Sequence, residues 1–378
     1  MRLSDCRKEI DRIDRELVKL LNERIEVVLR IGELKNRTRA KIFVPSREQD
    51  VYARVRAAND GQISDKALES IWREIMSACL AAEKPIRVAC LGPEGTFSHI
   101  TAVEKFGTSV EYTTTRSIES VFKEVASHNA DYGVVPVENS LQGNIPDTLD
   151  MFIEHRLNVC SETRLLIEHC LLAKCSLKRI KKVFSKPIAI SQCRNWLAAN
   201  LPNVELVDAS STTEAAKIAA HTAGAAAIAH RAAADRHGLR VLAESIQDRN
   251  DNVTRFFVIG HEMSMQPSGH DKTALMFSAK HKPGSLCDAL VPFKRNGVNI
   301  TKLQSRPFRQ RPWEYYFFIE VDGHCEKQKV ARALKALEPK CSYLQVLGSF
   351  PAANDSKQTG QKKNNKKKTN KATPKKGA

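Results

Sequence analysis

The residues with the clearest chemical potential follow an apolar run in the first half of the chain. Residues 132–137, Tyr-Gly-Val-Val-Pro-Val, predict a short buried strand, and Glu138, Asn139 and Ser140 come directly after it. Gly143 then allows a turn before the next helix. A carboxylate, an amide and a hydroxyl are thereby placed at the carboxyl end of a strand, where open α/β sheets bind small ligands. A polar turn that only connects two elements is the alternative.

A second chemical pattern is a pair of cations within an apolar stripe. Residues 4–36 predict one long helix whose stripe contains Ile10, Ile13, Leu17, Leu20, Val28 and Ile31. At ~100° per residue, Arg24 and Lys35 lie on the same stripe, roughly 16 Å apart along the axis. A buried unpaired cation costs several kcal/mol, so an anionic ligand between the two is expected. Snorkelling, or pairing with acids, is the alternative.

The length of this helix predicts a partner. At roughly 50 Å it is too long for a small monomeric domain. Arg7 lies near the stripe but ~25 Å from Arg24, so it cannot serve the same site in one chain if the helix is straight. An antiparallel partner helix would bring it there.

Composition limits the class of protein. The chain has 378 residues, a hydrophobic fraction of 42%, and ten cysteines without paired spacing. We expect two or three globular domains, reduced thiols and a cytoplasmic location, with no membrane-spanning segment. The net charge of +17 is concentrated partly in residues 351–378, which carry nine lysines and one acid and are expected to be disordered.

The pattern of elements changes twice along the chain. Residues 1–84 are predicted to be all-helical. Residues 86–262 alternate strands and helices, with a second lobe inserted near 164–243, which is α/β organisation. Residues 271–350 predict a small α+β unit in the order strand, helix, strand, strand, helix, strand. His99, His169 and His237 lack metal-ligand spacing, and the Gly92-x-x-Gly95 turn is not a dinucleotide fingerprint, so we expect no metal and no cofactor.

Four motifs carry a resemblance to known families. They are Gly92-Pro-Glu-Gly-Thr-Phe-Ser98, Glu138-Asn-Ser-Leu-Gln-Gly143, Ser211-Thr212 and Asn252-Val-Thr-Arg-Phe256. With them, residues 86–262 resemble a prephenate dehydratase. Residues 1–83 are similar to an AroQ-type chorismate mutase domain, and 271–350 to an ACT regulatory domain of ferredoxin-like fold. Together they resemble the bifunctional P-protein of bacterial phenylalanine biosynthesis, whose two-lobed dehydratase domain is of the periplasmic-binding-protein type.

The resemblance implies a mutase site that works by positioning and charge. Rearrangement of chorismate to prephenate needs no nucleophile, only the compact conformer and stabilisation of charge on the ether oxygen. The implied ligands of the substrate are Arg7 of the other protomer, Arg24 and Arg47 for the carboxylates, Glu48 for the ring hydroxyl, and Lys35 and Glu83 beside the ether oxygen. Val44 stands where many relatives have Asp. Glu83 stands where many have Gln, so we expect it to act protonated.

For the dehydratase, the resemblance implies a cleft between the lobes. Thr254 is the implied catalytic residue and donates a hydrogen bond or relays a proton. The implied substrate-binding residues are Thr96, Ser98, Glu138, Asn139, Gln192, Ser211, Thr212, Arg255 and Phe256. A structural ion pair is the alternative for Arg255. Ser185-Lys-Pro-Ile188 departs from the Ser-His-Pro-Gln of relatives.

Regulation and partners are implied in the same way. L-phenylalanine is the expected effector, held by Gly284, Leu286, Asn299, Gln304 and Ser305; a purely dimerising ACT unit is the alternative. We expect a homodimer through the helical and ACT domains, and no nucleic-acid partner beyond weak polyanion contact of the lysine-rich tail. Two other functions stay open: a dehydratase whose helical domain only dimerises, and a non-catalytic amino-acid sensor.

Overall fold

The computed structural model describes residues 2–38, 44–263, 266–280, 282–307 and 315–353. The lysine-rich tail from residue 354 lies outside the described residues. The helices are α1 (Leu3–Thr38), α2 (Pro45–Ala57), α3 (Asp65–Glu83), α4 (Phe97–Phe106), α5 (Ile118–Ala126), α6 (Pro146–Glu154), α7 (Pro187–Gln192), α8 (Arg194–Asn200), α9 (Thr212–His221), α10 (Ala232–His237), α11 (Ser285–Arg295) and α12 (Gln328–Leu337). The strands are β1 (Arg87–Leu91), β2 (Glu111–Thr115), β3 (Tyr132–Asn139), β4 (Gly143–Asn144), β5 (Asn158–Leu166), β6 (Cys170–Ala173), β7 (Lys182–Ser185), β8 (Glu205–Asp208), β9 (Ala225–Ala229), β10 (Arg240–Ala243), β11 (Val253–Gly260), β12 (Asp271–Ala279), β13 (Ile300–Pro307), β14 (Tyr315–Asp322) and β15 (Cys341–Pro351).

The first unit consists of α1, α2 and α3. The C-terminal half of α1 packs on α3, and a Cβ at Gly32 would lie 2.9 Å from Cγ of Glu83, so the two helices approach closely there. Within the described residues, most of the surface of α1 is exposed rather than packed against another element. Its exposed large apolar residues are Leu3, Ile10, Ile13, Leu17, Val18, Leu20, Leu21, Val27, Leu29, Ile31 and Leu34. No helix in the described ranges is both long enough and apolar enough to cross a membrane.

The second unit has two α/β lobes. The first-lobe sheet has the strand order β2-β1-β3-β11-β5, with β4 paired to β3. The second-lobe sheet has the order β10-β6-β9-β7-β8. The chain crosses between the lobes twice, between β5 and β6 and again between β10 and β11. This confirms the expected two-lobed α/β architecture.

The third unit is a four-stranded sheet with two helices, in the order of elements that the sequence predicts. Its strand order is β13-β14-β12-β15. The sheet stacks on the first lobe: Met276, Phe318 and Phe350 share one core cluster with Phe257 of β11. A Cβ at Gly348 would lie 2.1 Å from the carbonyl oxygen of Val159, which shows how closely β15 lies against β5. The third unit and the first lobe therefore have a common apolar core. Because this unit resembles a regulatory ACT domain, it and its sheet are called the regulatory unit and the regulatory sheet.

Candidate functional site

A cavity of about 380 Å³, called the helical cavity, is lined mainly by residues of the helical unit. Its charged lining residues in the described part of the chain are Arg24, Lys35, Arg47, Glu48, Arg73, Glu83 and Lys105. The structure thus brings together five of the six residues implied for the mutase site. Five cations against two acids make the cavity favourable for an anion with two carboxylates.

Two ion pairs organise this cavity. Lys35 Nζ lies 2.9 Å from Glu83 Oε1, and the Glu83 side chain is 6% exposed. α1 and α3 thus place the Lys35 ammonium beside Glu83. The expectation that Glu83 acts as a protonated acid stays a prediction. Lys105 Nζ lies 2.6 Å from Glu48 Oε2. Arg24 donates to the thiol of Cys79, whose pKa is raised by burial, so the thiol stays neutral.

Arg7 does not line the cavity. It lies seventeen residues before Arg24 on α1, or roughly 25 Å along the axis, and its side chain is exposed. Val44 does line the cavity and offers only apolar surface. The lining also contains two cations that the sequence analysis did not predict, Arg73 and Lys105. Arg73 lies on α3 outside any recognised motif, and Lys105 lies on α4, in a different unit.

A second cavity, of about 330 Å³, lies between the two lobes. The first lobe contributes Thr96, Ser98, Asn139, Thr254 and Phe256, and the second lobe contributes Gln192, Ser211 and Thr212. Eight of the residues implied for the dehydratase site therefore meet in one cleft. Among the described residues that line the cleft, one is an arginine, Arg116, and one is a lysine, Lys186. The Lys186 position had been read only as a departure from relatives.

Asn139 fixes the polar geometry at the floor of the cleft. Its Oδ1 accepts hydrogen bonds from the backbone amides of Leu141 and Gln142, both at 3.0 Å. Its Nδ2 therefore donates, to Asn252 Oδ1 at 2.8 Å and to Thr254 Oγ1 at 2.9 Å. Asn252 Nδ2 is buried without a hydrogen-bond partner, so it is a donor that a ligand can satisfy. The sequence motif contained Asn252, yet we had not assigned it to the site.

His169 supports the second-lobe side of the cleft. Its Nε2 lies 2.8 Å from Gln192 Oε1, and its ring packs edge-on against Phe97. Burial lowers the pKa of His169, so the imidazole is neutral at neutral pH. Its Nδ1 is buried without a hydrogen-bond partner. His169 was considered in the sequence only for its lack of metal-ligand spacing, whereas in the structure it lines the cavity and contacts Gln192.

The structure does not bring Glu138 and Arg255 into the cleft. In the β3–β11 pair, Thr254 lies opposite Asn139 and Arg255 lies opposite Glu138. Successive side chains of a strand point to opposite faces, so the first pair faces the cleft and the second faces the regulatory sheet. The substrate-binding role implied for Glu138 and Arg255 is therefore not supported by their positions.

Glu138 and Arg255 belong instead to an interdomain ion cluster, which we define as Glu138, Glu162, Arg255, Lys272, Lys302 and Glu320. Arg255 Nη1 donates to Glu320 Oε2 at 2.8 Å, and Lys302 Nζ lies 3.0 Å from Glu138 Oε2. Burial acts to lower the pKa of Arg255, but the hydrogen bonds and charge of Glu320 outweigh it and raise that pKa. Three cations and three acids from β3, β5, β11, β12, β13 and β14 thus join the first lobe to the regulatory sheet.

The implied effector residues are spread over two faces of the regulatory unit. Gly284 precedes α11 with a φ of +79°, and Asn299 Nδ2 donates to Asp322 Oδ2 at 2.9 Å. Ser305 lies on the exposed face of the edge strand β13. Gln304 lies on the opposite face, and its Oε1 is buried without a partner. Gln304 is therefore separated from Ser305 by the strand itself.

Helix α4 touches both cavities. Phe97 and Ser98 at its first turn line the interlobe cleft, and Lys105 and Phe106 at its last turn line the helical cavity. Nine residue steps correspond to roughly 14 Å along the axis. The two candidate sites therefore lie at opposite ends of one short helix.

Comparison with known proteins matches each unit to a family. Residues 6–84 match chorismate mutase type II, residues 88–264 match prephenate dehydratase, and residues 273–339 match the ACT domain. A bifunctional chorismate mutase/prephenate dehydratase of Aquifex aeolicus is 45% identical over 356 residues, covering 93% of this chain and 98% of that protein. The counterpart in Neisseria gonorrhoeae is 41% identical over 351 residues, covering 92% and 96%.

Solved structures are similar over the second and third units. Prephenate dehydratase from Arthrobacter aurescens, described as a complex with L-Phe, has a TM-score of 0.66 at 32% identity and covers 71% of this chain and 90% of that one. A chain described as a novel type of quorum quenching acylase has a TM-score of 0.66 at 26% identity, so this fold alone does not specify one reaction. The relatives that are 45% and 41% identical over nearly the whole chain show the family. The chain belongs to the family of bifunctional chorismate mutase/prephenate dehydratases.

Proposed function

We propose that the chain rearranges chorismate to prephenate in the helical cavity and converts prephenate to phenylpyruvate in the interlobe cleft, under feedback inhibition by L-phenylalanine. The observation that supports it best is the presence of two separate cavities, one lined by five of the six residues implied for the mutase and the other by eight of those implied for the dehydratase. The protein therefore acts as both an isomerase and a lyase of phenylalanine biosynthesis.

The mutase step is supported by the charge arrangement in the helical cavity. Arg24 and Arg47 are placed for the two carboxylates, which holds the compact conformer in which the bond-forming carbons meet. Lys35 is placed to donate to the ether oxygen as its bond to the ring breaks and negative charge grows there. Glu48 can accept a hydrogen bond from the ring hydroxyl. All of these are positioning or electrostatic contributions.

The dehydratase step is supported by the geometry around Thr254. Prephenate loses its ring carboxylate as carbon dioxide; the electron pair moves through the ring and expels the hydroxyl, which needs a proton to leave as water. Since Thr254 Oγ1 accepts from Asn139, its own proton is directed to another acceptor. We assign that acceptor as the leaving hydroxyl. Arg116 and Lys186 are placed to bind the carboxylates.

Separate variants test the two activities. With chorismate as substrate, the wild-type protein is expected to consume it and release phenylpyruvate, less so with phenylalanine present. Arg24→Ala should stop chorismate consumption but still dehydrate added prephenate. If Arg24→Ala consumes chorismate as the wild type does, the helical unit has no mutase site of this kind and only the dehydratase proposal survives.

We propose a homodimer in which α1 pairs with an antiparallel copy and delivers Arg7 to the partner's cavity. The uncovered apolar residues of α1 support this arrangement. Chains carrying Arg7→Ala and chains carrying Arg24→Ala are each expected to lack mutase activity. Co-expressed with two affinity tags, they should form mixed dimers with one intact site of two. Inactive mixed dimers would contradict the sharing of Arg7.

A cytoplasmic location is part of the proposal. All ten cysteines are free thiols, and most are buried or half-buried. A cytoplasm keeps such thiols reduced. Fractionation of the source cells with an antibody to the chain tests this, and recovery with secreted or membrane material would contradict it.

A further inference from the structure

Lys105 reaches the helical cavity from outside the helical unit. It lies in the last turn of α4, which belongs to the first lobe. Its Nζ is 2.6 Å from Glu48 Oε2, and both side chains are 14% exposed. A pair shielded from water to this degree is screened far less than a surface pair. Lys105 therefore acts on the cavity rather than on the surface of its own unit.

A specific contact between α3 and the residues after α4 holds Lys105 in place. Gly107 has a φ of +77°, and a Cβ there would lie 2.4 Å from Cβ of Ser77 on α3. Glycine is thus required both for the backbone conformation and for the close approach. Thr108 donates its amide and its hydroxyl to Glu74 Oε2, at 2.9 and 2.6 Å. The two units are therefore joined by close packing at Gly107 and by specific hydrogen bonds from Thr108.

Lys105 has two effects on Glu48. By donating to Oε2 it fixes the orientation of the carboxylate, whose Oε1 can then accept a hydrogen bond from a substrate hydroxyl. Its charge also offsets the carboxylate charge, which would otherwise repel the two carboxylates of the substrate. Orientation within about 0.5 Å is what a binding group needs from its support.

We infer that Lys105 is a positioning residue of the mutase site, contributed by the dehydratase unit, and that it holds Glu48 for the substrate hydroxyl. This inference rests on the proposed mutase activity. Its consequence is that the mutase site of this chain is complete only when the first lobe is docked on α3.

Lys105→Met in the full-length protein tests the inference, because methionine keeps most of the side-chain volume without the charge. Loss of a hydrogen bond to a charged group predicts that kcat/KM for chorismate falls about tenfold to a hundredfold. Dehydration of added prephenate should stay at the wild-type level, which also shows that α4 and its lobe are folded. Lys105→Arg should recover most of the mutase activity.

A double-mutant cycle separates positioning from a general structural role. If Lys105 acts through Glu48, Lys105→Met added to Glu48→Gln should cost little beyond Glu48→Gln alone. Lys123→Met is the matched control, because Lys123 pairs with Glu119 on the surface of the same lobe; both activities should be unchanged. Wild-type mutase kinetics in Lys105→Met, or additive losses in the cycle, would overturn the inference. A wild-type protein that does not consume chorismate would instead overturn the proposed function.

Discussion

The orientation of the Asn139 side-chain amide determines that Thr254 accepts a hydrogen bond from it. Backbone amides can only donate, so the two that reach Asn139 Oδ1 place Nδ2 toward Thr254. Thr254 has one hydroxyl proton, and since its oxygen accepts from Asn139, that proton is available to the ligand. Thr254 thereby becomes an oriented hydrogen-bond donor to a ligand in the cleft.

Thr254→Val should isolate this donor, since valine keeps the shape of the side chain. We expect kcat for prephenate to fall about a hundredfold or more, the range for losing one oriented donor or acid at a reacting group. Chorismate consumption should not change, and Thr254→Ser should keep part of the dehydratase activity. Steady-state assays with each substrate measure both effects. A valine variant with the wild-type kcat would remove Thr254 from the chemistry.

Lys186 should contribute binding rather than chemistry. It precedes α7 on the second lobe and lines the cleft together with Arg116. Lys186→Gln is expected to raise KM for prephenate about tenfold to a hundredfold, the value of a hydrogen bond to a charged group, with a smaller effect on kcat. Lys178→Gln is a control in the same lobe, outside the cleft lining. Equal KM values for Lys186→Gln and the wild type would show that the carboxylates bind elsewhere.

The sequence motifs contain Thr254 and Asn139, which line the cleft, but could not separate them from Glu138 and Arg255, which do not. A motif does not show which of two neighbouring residues faces the ligand. In a strand, successive side chains point to opposite faces, so only one of the two can do so. The correct faces can be assigned only when the partner of each face is known. For Arg255 that partner is Glu320, 65 positions later in the chain. Nothing in the spacing of either residue reveals the contact.

The paired strands β3 and β11 carry two functions on two faces. Asn139 and Thr254 face the cleft, while Glu138 and Arg255 face the regulatory sheet. Both faces belong to the same two hydrogen-bonded strands, so a displacement of the regulatory sheet would act on the strands that hold Asn139 and Thr254. The interdomain ion cluster is one of the direct contacts through which such a displacement would be transmitted, beside the shared apolar core.

Arg255→Met should test the energetic weight of this cluster. Removing the guanidinium leaves Glu162 and Glu320 buried with less compensation; a buried pair broken in this way costs about 3–5 kcal/mol. We expect a lower urea midpoint by circular dichroism. Arg249→Met is the matched control, because Arg249 pairs with Asp251 where both side chains are more than half exposed; it should change stability by less than about 1 kcal/mol. Equal midpoints for the two variants would mean that the cluster does not stabilise the fold.

The architecture of the whole molecule followed from sequence periodicity. Helical spacing predicted the helical unit, alternation of strands and helices predicted the two lobes, and the order of six elements predicted the third unit. The relative placement of the units was not predicted. It depends on contacts such as Gly107 against Ser77, and on a core cluster that joins Phe257 to Phe318 and Phe350. Such contacts link residues far apart in the chain and leave no local pattern.

Substitution on the uncovered stripe of α1 should separate the two activities. Leu17→Glu combined with Leu20→Glu places charge on the surface assigned to the partner helix, so α1 should no longer pair. Mutase activity is expected to fall about a hundredfold or more, since Arg7 of the partner is lost from a site built on oriented charges. Prephenate dehydration should remain. Lys19→Glu, on the polar side of α1, is the control. Full mutase activity in the double variant, measured together with sedimentation, would contradict pairing through α1.

Helix α4 has a consequence for the fate of the intermediate. A molecule released at one end of this helix starts about 14 Å from the other cavity, and one molecule within that radius corresponds to a local concentration on the order of 0.1 M. Enzymes commonly reach half-saturation between about 1 μM and 1 mM. Part of the prephenate that leaves the helical cavity is therefore expected to reach the cleft before it mixes with the bulk, even without an enclosed path. Unlabelled prephenate added to a reaction with labelled chorismate should accordingly dilute the label in phenylpyruvate less than complete mixing would.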